Sequence, residues 1–273
     1  MSFADIAGLG LIAYVEQRRS AEEVWGFSHV PKTAGSSLVA SLKNCREPYR
    51  NIEVRDYAAD NDEFRRQEWQ AVKEFVESQR AAPADVRCRS FSGHLRRAHI
   101  DFIRSNVDGI RVFTMLREPV ARVVSDYRYC LTPAHPPHAD FARRFPSLRD
   151  FVHHPMGQNQ QAKYLAEKWQ AGAEAVVDSV LNGFDFVGIT ELYEFSVSMI
   201  FRMGGMPHVS TEYRNRTVDT ELNAIELDEA LTQEIRELNA LDDALYWMVR
   251  KLLEPHQAEW WQYFMALQEG DRA

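Results

Sequence analysis

Lys32, Thr33, Gly35, Ser36 and Ser37 stand within six residues of one another, directly after the apolar run 25–30. One ammonium, three hydroxyls and a glycine at that spacing make an anion cradle. Residues 25–30 read as a short buried strand and 36–44 as a helix entered through a Ser/Thr-rich cap, so the cradle is the turn between them. Backbone N–H groups at a helix N-terminus carry about half a positive charge and point into such a turn. Ala34 and Gly35 sit where the backbone must approach the anion, which glycine permits most easily, and Lys32 adds a full charge.

Two further segments carry chemistry. Arg117 follows the apolar run 111–116 and precedes Glu118-Pro119, with proline at the favoured first position of a helix. Its guanidinium can pair bidentately with a phosphate. Ser125, two helical turns on, can add a hydroxyl to the same group. Gly93-His94 closes the run 86–92. An imidazole there is a candidate general base. A ligand touching both the Lys32 turn and Arg117 needs two separated anionic groups. The first turn differs from the nucleotide-triphosphate loop G-x-x-x-x-G-K-[ST], because its lysine precedes the glycine. No apolar strand ends in the aspartate that a triphosphatase uses for magnesium, so a kinase is a strained reading.

The elements that must position these groups alternate. Residues 25–30, 86–92, 111–116 and 186–190 read as strands. Residues 36–44, 63–79, 100–105, 119–129, 148–153, 158–169, 175–182, 192–203 and 228–254 read as helices, and the tail from His256 continues helical. Segment 131–138, with Pro133, Pro136 and Pro137, reads as a loop able to serve as a lid. This alternation predicts an α/β fold of three layers, with a central parallel sheet flanked by helices. No linker or repeat divides the chain, so one domain over 1–273 is expected. Ligands of open α/β sheets bind at the carboxyl ends of the strands. Lys32, His94 and Arg117 therefore converge if their strands are parallel neighbours.

Composition narrows the partners. The chain has 273 residues and a net charge of −8, which disfavours nucleic acid. Twelve arginines lie between Arg87 and Arg149 against five acids (Asp101, Asp108, Glu118, Asp126 and Asp140), a local band suited to a small polyanion. Cys45, Cys88 and Cys130 are widely spaced without C-x-x-C, so buried free thiols are expected. His135, His138, His153 and His154 fit no common ligand spacing, and no metal is expected. Residues 6–15 fall short of the roughly 18 to 20 apolar residues that span a bilayer. No small-residue cleavage site follows them, so neither a signal peptide nor an integral membrane segment is expected, and the setting reads as cytoplasmic.

The segment His29-Val30-Pro31-Lys32-Thr33-Ala34-Gly35-Ser36-Ser37 resembles the 5′-phosphosulfate loop of sulfotransferases that use 3′-phosphoadenosine 5′-phosphosulfate (PAPS). The segment Arg117 to Tyr127 resembles their 3′-phosphate motif. With Gly93-His94, the order is similar to that of carbohydrate sulfotransferases related to heparan sulfate 2-O-sulfotransferase. Glu118 stands where aspartate is commoner, and 43–87 matches no family segment. The resemblance implies a PAPS-dependent enzyme that sulfates a hydroxyl of a carbohydrate or glycoconjugate and releases 3′-phosphoadenosine 5′-phosphate. It implies His94 as base and Lys32 as the charge on the leaving group. Thr33, Ala34, Gly35, Ser36 and Ser37 would hold the 5′-phosphosulfate, and Arg117 and Ser125 the 3′-phosphate. Arg214 and Thr217 would close over the adenosine or its 3′-phosphate. Asn159, Gln160 and Lys163, polar and near one another, are candidates to face the acceptor beside His94. The alternatives are a P-loop phosphotransferase using ATP and a non-catalytic nucleotide- or glycan-binding module.

Overall fold

Alternation along residues 24–29 sets the centre of the molecule. Trp25 and Phe27 point to one face of the first strand, β1 (Val24–Ser28), and both are fully buried. In this computed structural model, which describes residues 1–54, 61–83, 85–206 and 225–270, β1 is the middle of five strands. The others are β2 (Tyr49–Asn51), β3 (Ser90–Gly93), β4 (Ile110–Leu116) and β5 (Phe186–Ile189), in the order β2-β3-β1-β4-β5. Every pairing is parallel. The fold is α/β, a central parallel sheet flanked by helices.

The chain leaves β1 for the β2 edge, then works back through β3 and β4 to β5 at the other edge. Right-handed crossovers in opposite directions put helices on opposite faces of the sheet. The reversal places a topological switch point between β1 and β4, the place where open α/β sheets form their ligand crevice at the carboxyl ends. Ser28 pairs with Gly93 on one side and Thr114 on the other. Strand β4 continues two residues further to Leu116, so Arg117 stands beyond the level at which β1 ends.

The structure moves several expected boundaries. The expected strand 86–92 shrinks to β3, and β2 was not anticipated, because a three-residue strand leaves no periodicity to read. Residues 3–17, read as no element, form helical turns that bury Phe3, Ile6, Leu11, Tyr14 and Val15 in the core. Helix 158–169 contracts to Gln160–Leu165. The expected loop 131–138 stands over residues 131–137 and is followed by an unexpected helix at His138–Arg144. The long helix 228–254 is two, Glu229–Leu238 and Ala240–Leu253, broken at Asn239. Asn239 is fully buried, and its carboxamide accepts the Asn159 N–H at 2.7 Å and donates to the Ile235 carbonyl at 2.9 Å. Asparagine side chains compete for backbone partners in this way and bend helices.

The tail packs back on the core, with Trp260 fully buried and its indole N–H on Ser198 Oγ at 2.7 Å. The three cysteines are free thiols, partly rather than fully buried. No helix among the described residues is long and apolar enough to cross a membrane.

Candidate active site

The turn after β1 is wound tightly. Lys32 and Ala34 both adopt left-handed backbone conformations, with φ of 72° and 62°. Each costs on the order of 1 kcal/mol for a residue other than glycine. The Thr33 hydroxyl turns back to the Val30 carbonyl at 2.8 Å. It therefore does not cap the helix Gly35–Cys45, contrary to the expected Ser/Thr-rich cap. The capping position is Ala34, which has no side-chain oxygen, and the first turn holds no acidic residue. Ala34 thus gives the helix start no side-chain cap, and the partial positive charge of that start stands just past the carboxyl end of β1. Ser36 is exposed here and Ser37 is buried.

Phe113, Phe27, His29 and His94 form a column of rings leading from the core to the crevice. Phe27 stacks on its register partner Phe113 at 5.2 Å, His29 on Phe27 at 5.3 Å, and His94 on His29 at 4.6 Å between ring centroids. The His29 ring lies against Gly35, where a Cβ would come within 1.9 Å of Nε2. Glycine is required there by this imidazole as well as by any ligand. Burial, then the charges of His94 and Lys32, hold His29 well below the ordinary histidine range. His94 Nδ1 meets the His29 carbonyl at 2.8 Å. A carbonyl only accepts, so Nδ1 donates, and in the neutral form of the ring the lone pair falls on Nε2.

Lys32 Nζ lies 3.9 Å from the centroid of the Tyr129 ring, a cation–π contact. Burial lowers its pKa, an effect opposed chiefly by the negative charge of Asp126. Tyr129 and Asp126 belong to the helix Pro119–Cys130, and Ser125 lies one turn before Tyr129 on the same side. The Arg117 guanidinium donates to the Lys32 carbonyl at 3.3 Å, tying the β4 turn to the β1 turn. Glu118 caps the helix by accepting the Ala121 N–H at 2.7 Å and pairs with Arg236 at 2.9 Å. Arg122 is fully buried, and one nitrogen pairs with Asp126 at 3.1 Å. Its Nε and second terminal nitrogen find no partner among the described residues.

The structure therefore brings Lys32, His94, Arg117 and Ser125 to one crevice. The residues expected to face the acceptor lie on and before the helix Gln160–Leu165. Asn159 Oδ1 accepts the N–H groups of Leu241 and Asp242 at 3.0 and 3.3 Å, and its amide donates to the Leu238 carbonyl at 3.1 Å. Gln160 donates to the carbonyls of Pro155 and Gln158 at 3.0 Å, and Lys163 to Pro155 at 2.7 Å. These polar groups bond to backbone of their own chain, those of Gln160 and Lys163 to Pro155 at the surface. Arg214 and Thr217 lie outside the described residues. Three residues escaped the sequence reading: His29, Tyr129 and Gln161. His29 continues the alternation Trp25, Phe27 and was legible as the next inward position of that run. Gln161 gave no signal, because a helix of under two turns has too short a period to say which glutamine faces inward.

No curated protein matches the chain. Among solved structures, it is similar to the crystal structure of a sulfotransferase from Alicyclobacillus acidocaldarius, at 13% identity and a TM-score of 0.47, covering 85% of this chain and 97% of that one. The model of the sulfotransferase family matches residues 20–247 and takes in the Lys32, His94 and Arg117 turns together. Over that span, most of its length, the chain belongs to the sulfotransferase family.

Proposed function

We propose that the protein moves a sulfuryl group from PAPS to a hydroxyl of a carbohydrate or glycoconjugate acceptor. The observation that carries this reading is a pair of cationic turns on adjoining strands. Neither Lys32 nor Arg117 has a carboxylate within ion-pair distance among the described residues, and the two are joined through the Lys32 carbonyl. Such a pair suits a donor with anionic groups at both its 5′ and 3′ positions. The uncapped start of the helix Gly35–Cys45 and the unpartnered nitrogens of Arg122 fit an anionic ligand too. The acceptor class rests on the resemblance of the three motifs to carbohydrate sulfotransferases.

When bound, the donor supplies an activated sulfuryl group and a phosphate leaving group. The chain supplies the rest. Nε2 of His94, freed by the Nδ1 contact to His29, takes the acceptor's hydroxyl proton. Lys32 and the N–H groups of Gly35, Ser36 and Ser37 neutralise charge on the 5′ side, in place before reaction. Thr33 and Ala34 shape that turn. Arg117 and Ser125 take the 3′-phosphate, the group that separates this donor from ATP.

Calorimetric titration without metal, comparing adenosine 3′,5′-bisphosphate with ADP on wild type and Arg117→Ala, tests the reading. Micromolar binding of the bisphosphate alone, weakened about 10- to 100-fold in the variant, is expected. Equal or better binding of ADP, above all with a magnesium requirement, would overturn it in favour of a phosphotransferase.

A further inference from the structure

We propose that Gln161 is the positioning residue that sets Arg117 for the 3′-phosphate, with Asp242 holding Gln161 in place. This rests on the reading of Arg117 given above. Strand β4 ends at Leu116, whose partner on β5 is Ile189. Past Ile189 the chain turns into a short 3-10 helix at Thr190, and on the other side β1 has already ended. The N–H and C=O of Arg117 therefore have no strand beside them. Gln161 fills that place. Its Oε1 accepts the Arg117 N–H at 2.9 Å and its Nε2 donates to the Arg117 carbonyl at 3.0 Å. This two-point pairing is the one a neighbouring strand makes with a single residue.

Gln161 is fully buried, and its own backbone is held from a third element. Asp242, on the helix Ala240–Leu253 and also fully buried, accepts the N–H groups of Gln161 at 3.1 Å and Ala162 at 2.8 Å. Asn159 bonds to the N–H groups of Leu241 and Asp242, so the two helices are joined from both sides. Burial raises the Asp242 pKa, an effect opposed first by the positive charge of Arg122 and then by the N–H bonds of Ala162 and Gln161, and a carboxyl group buried to this depth needs such partners. The series Asp242, Gln161, Arg117 ends at the Lys32 carbonyl. It fixes the separation of the two cationic turns, and with it the spacing of anions that the crevice accepts.

A buried glutamine also satisfies loop backbone for stability alone, so the test reads discrimination rather than affinity or melting by themselves. Dissociation constants for adenosine 3′,5′-bisphosphate and AMP are measured by calorimetry on wild type, Gln161→Met and Gln161→Glu, with melting curves alongside. Gln161→Met keeps the length and removes both bonds. Gln161→Glu keeps an acceptor for the Arg117 N–H and sets a carboxylate oxygen against the Arg117 carbonyl. The expected result is a roughly tenfold fall in the bisphosphate-to-AMP preference in both, since small displacements of a binding group cost that much or more, with AMP affinity kept. Parallel losses for both nucleotides, or a preference that survives intact in a folded variant, overturn the positioning role and leave a structural one. A wild type with no preference overturns the reading of Arg117 itself, and the clamp with it. Should Gln161→Met fail to fold, Gln161→Glu and Asp242→Asn carry the same comparison, Asp242→Asn with a smaller fall because one of its two acceptors remains.

Discussion

At the amino ends of the strands, Asp185 takes ion pairs from Arg18, Arg104 and Arg111, and Glu23 takes a second from Arg111 at 2.6 Å. Asp185 also accepts the Val112 N–H at 2.7 Å. At the carboxyl ends of the same strands, Lys32 rests on an aromatic face and Arg117 on a carbonyl. Both ends are cationic, but the amino end answers Arg18, Arg104 and Arg111 with carboxylates, whereas among the described residues Lys32 and Arg117 at the carboxyl end have none within ion-pair distance. The difference teaches which positive charges are structural. Buried charge is tolerated where it is paired and hydrogen-bonded, and the cations of the two turns are the ones that the proposed donor would neutralise.

The comparison breaks most visibly at Asp185. Asp185→Asn leaves Arg18 and Arg104 without a carboxylate and Arg111 with Glu23 alone, and a loss of about 3–5 kcal/mol in urea unfolding is expected. Affinity for adenosine 3′,5′-bisphosphate, measured where the variant is folded, stays as in wild type. A variant that keeps its stability, or loses nucleotide affinity in proportion, would erase the distinction between the two ends.

Lys32→Ala should give the mirror image. Removing a preorganised charge of this kind costs about 10²- to 10³-fold in turnover, while unfolding in urea is hardly changed because among the described residues no carboxylate lies within ion-pair distance of the ammonium. Full sulfuryl transfer by this variant would remove Lys32 from the machinery.

The smallest effect sharpens the contrast through pH. Burial lowers the Lys32 pKa, so the ammonium in the free protein is fully charged only below that lowered value. As pH rises through it, the free protein must take up a proton to bind an anion, and bisphosphate affinity declines before the ordinary lysine range is reached. Lys32→Arg should flatten the profile. An affinity that stays level until the ordinary range would mean that Lys32 is solvated like any surface lysine.

The basic band counted from the sequence shows why such a census is incomplete. Arg104 and Arg111 belong to it as much as Arg117 does. Spacing along a chain cannot say that two of the three meet Asp185, more than seventy residues later, at the far end of the sheet. The fold class was legible because strand and helix periods alternate and because short apolar runs ended in Gly, Pro and charged residues. Element ends were less so. Asn239 breaks a pattern that runs through it without interruption, since its partner Asn159 is distant in sequence.

The sequence by itself determined the three loaded turns, their attachment to strands and the family to which they point, because each is a local match of residue type to backbone geometry. Only the tertiary structure decided that β3, β1 and β4 lie side by side and so bring His94, Lys32 and Arg117 together. It alone oriented His94 through the His29 carbonyl and turned Gln161, rather than Gln160, toward Arg117. The physical reason is the same in each case. A hydrogen bond or a stacked ring depends on angstrom-scale distances between groups that the chain separates by tens of residues, and only the packed sheet and its helices set those distances.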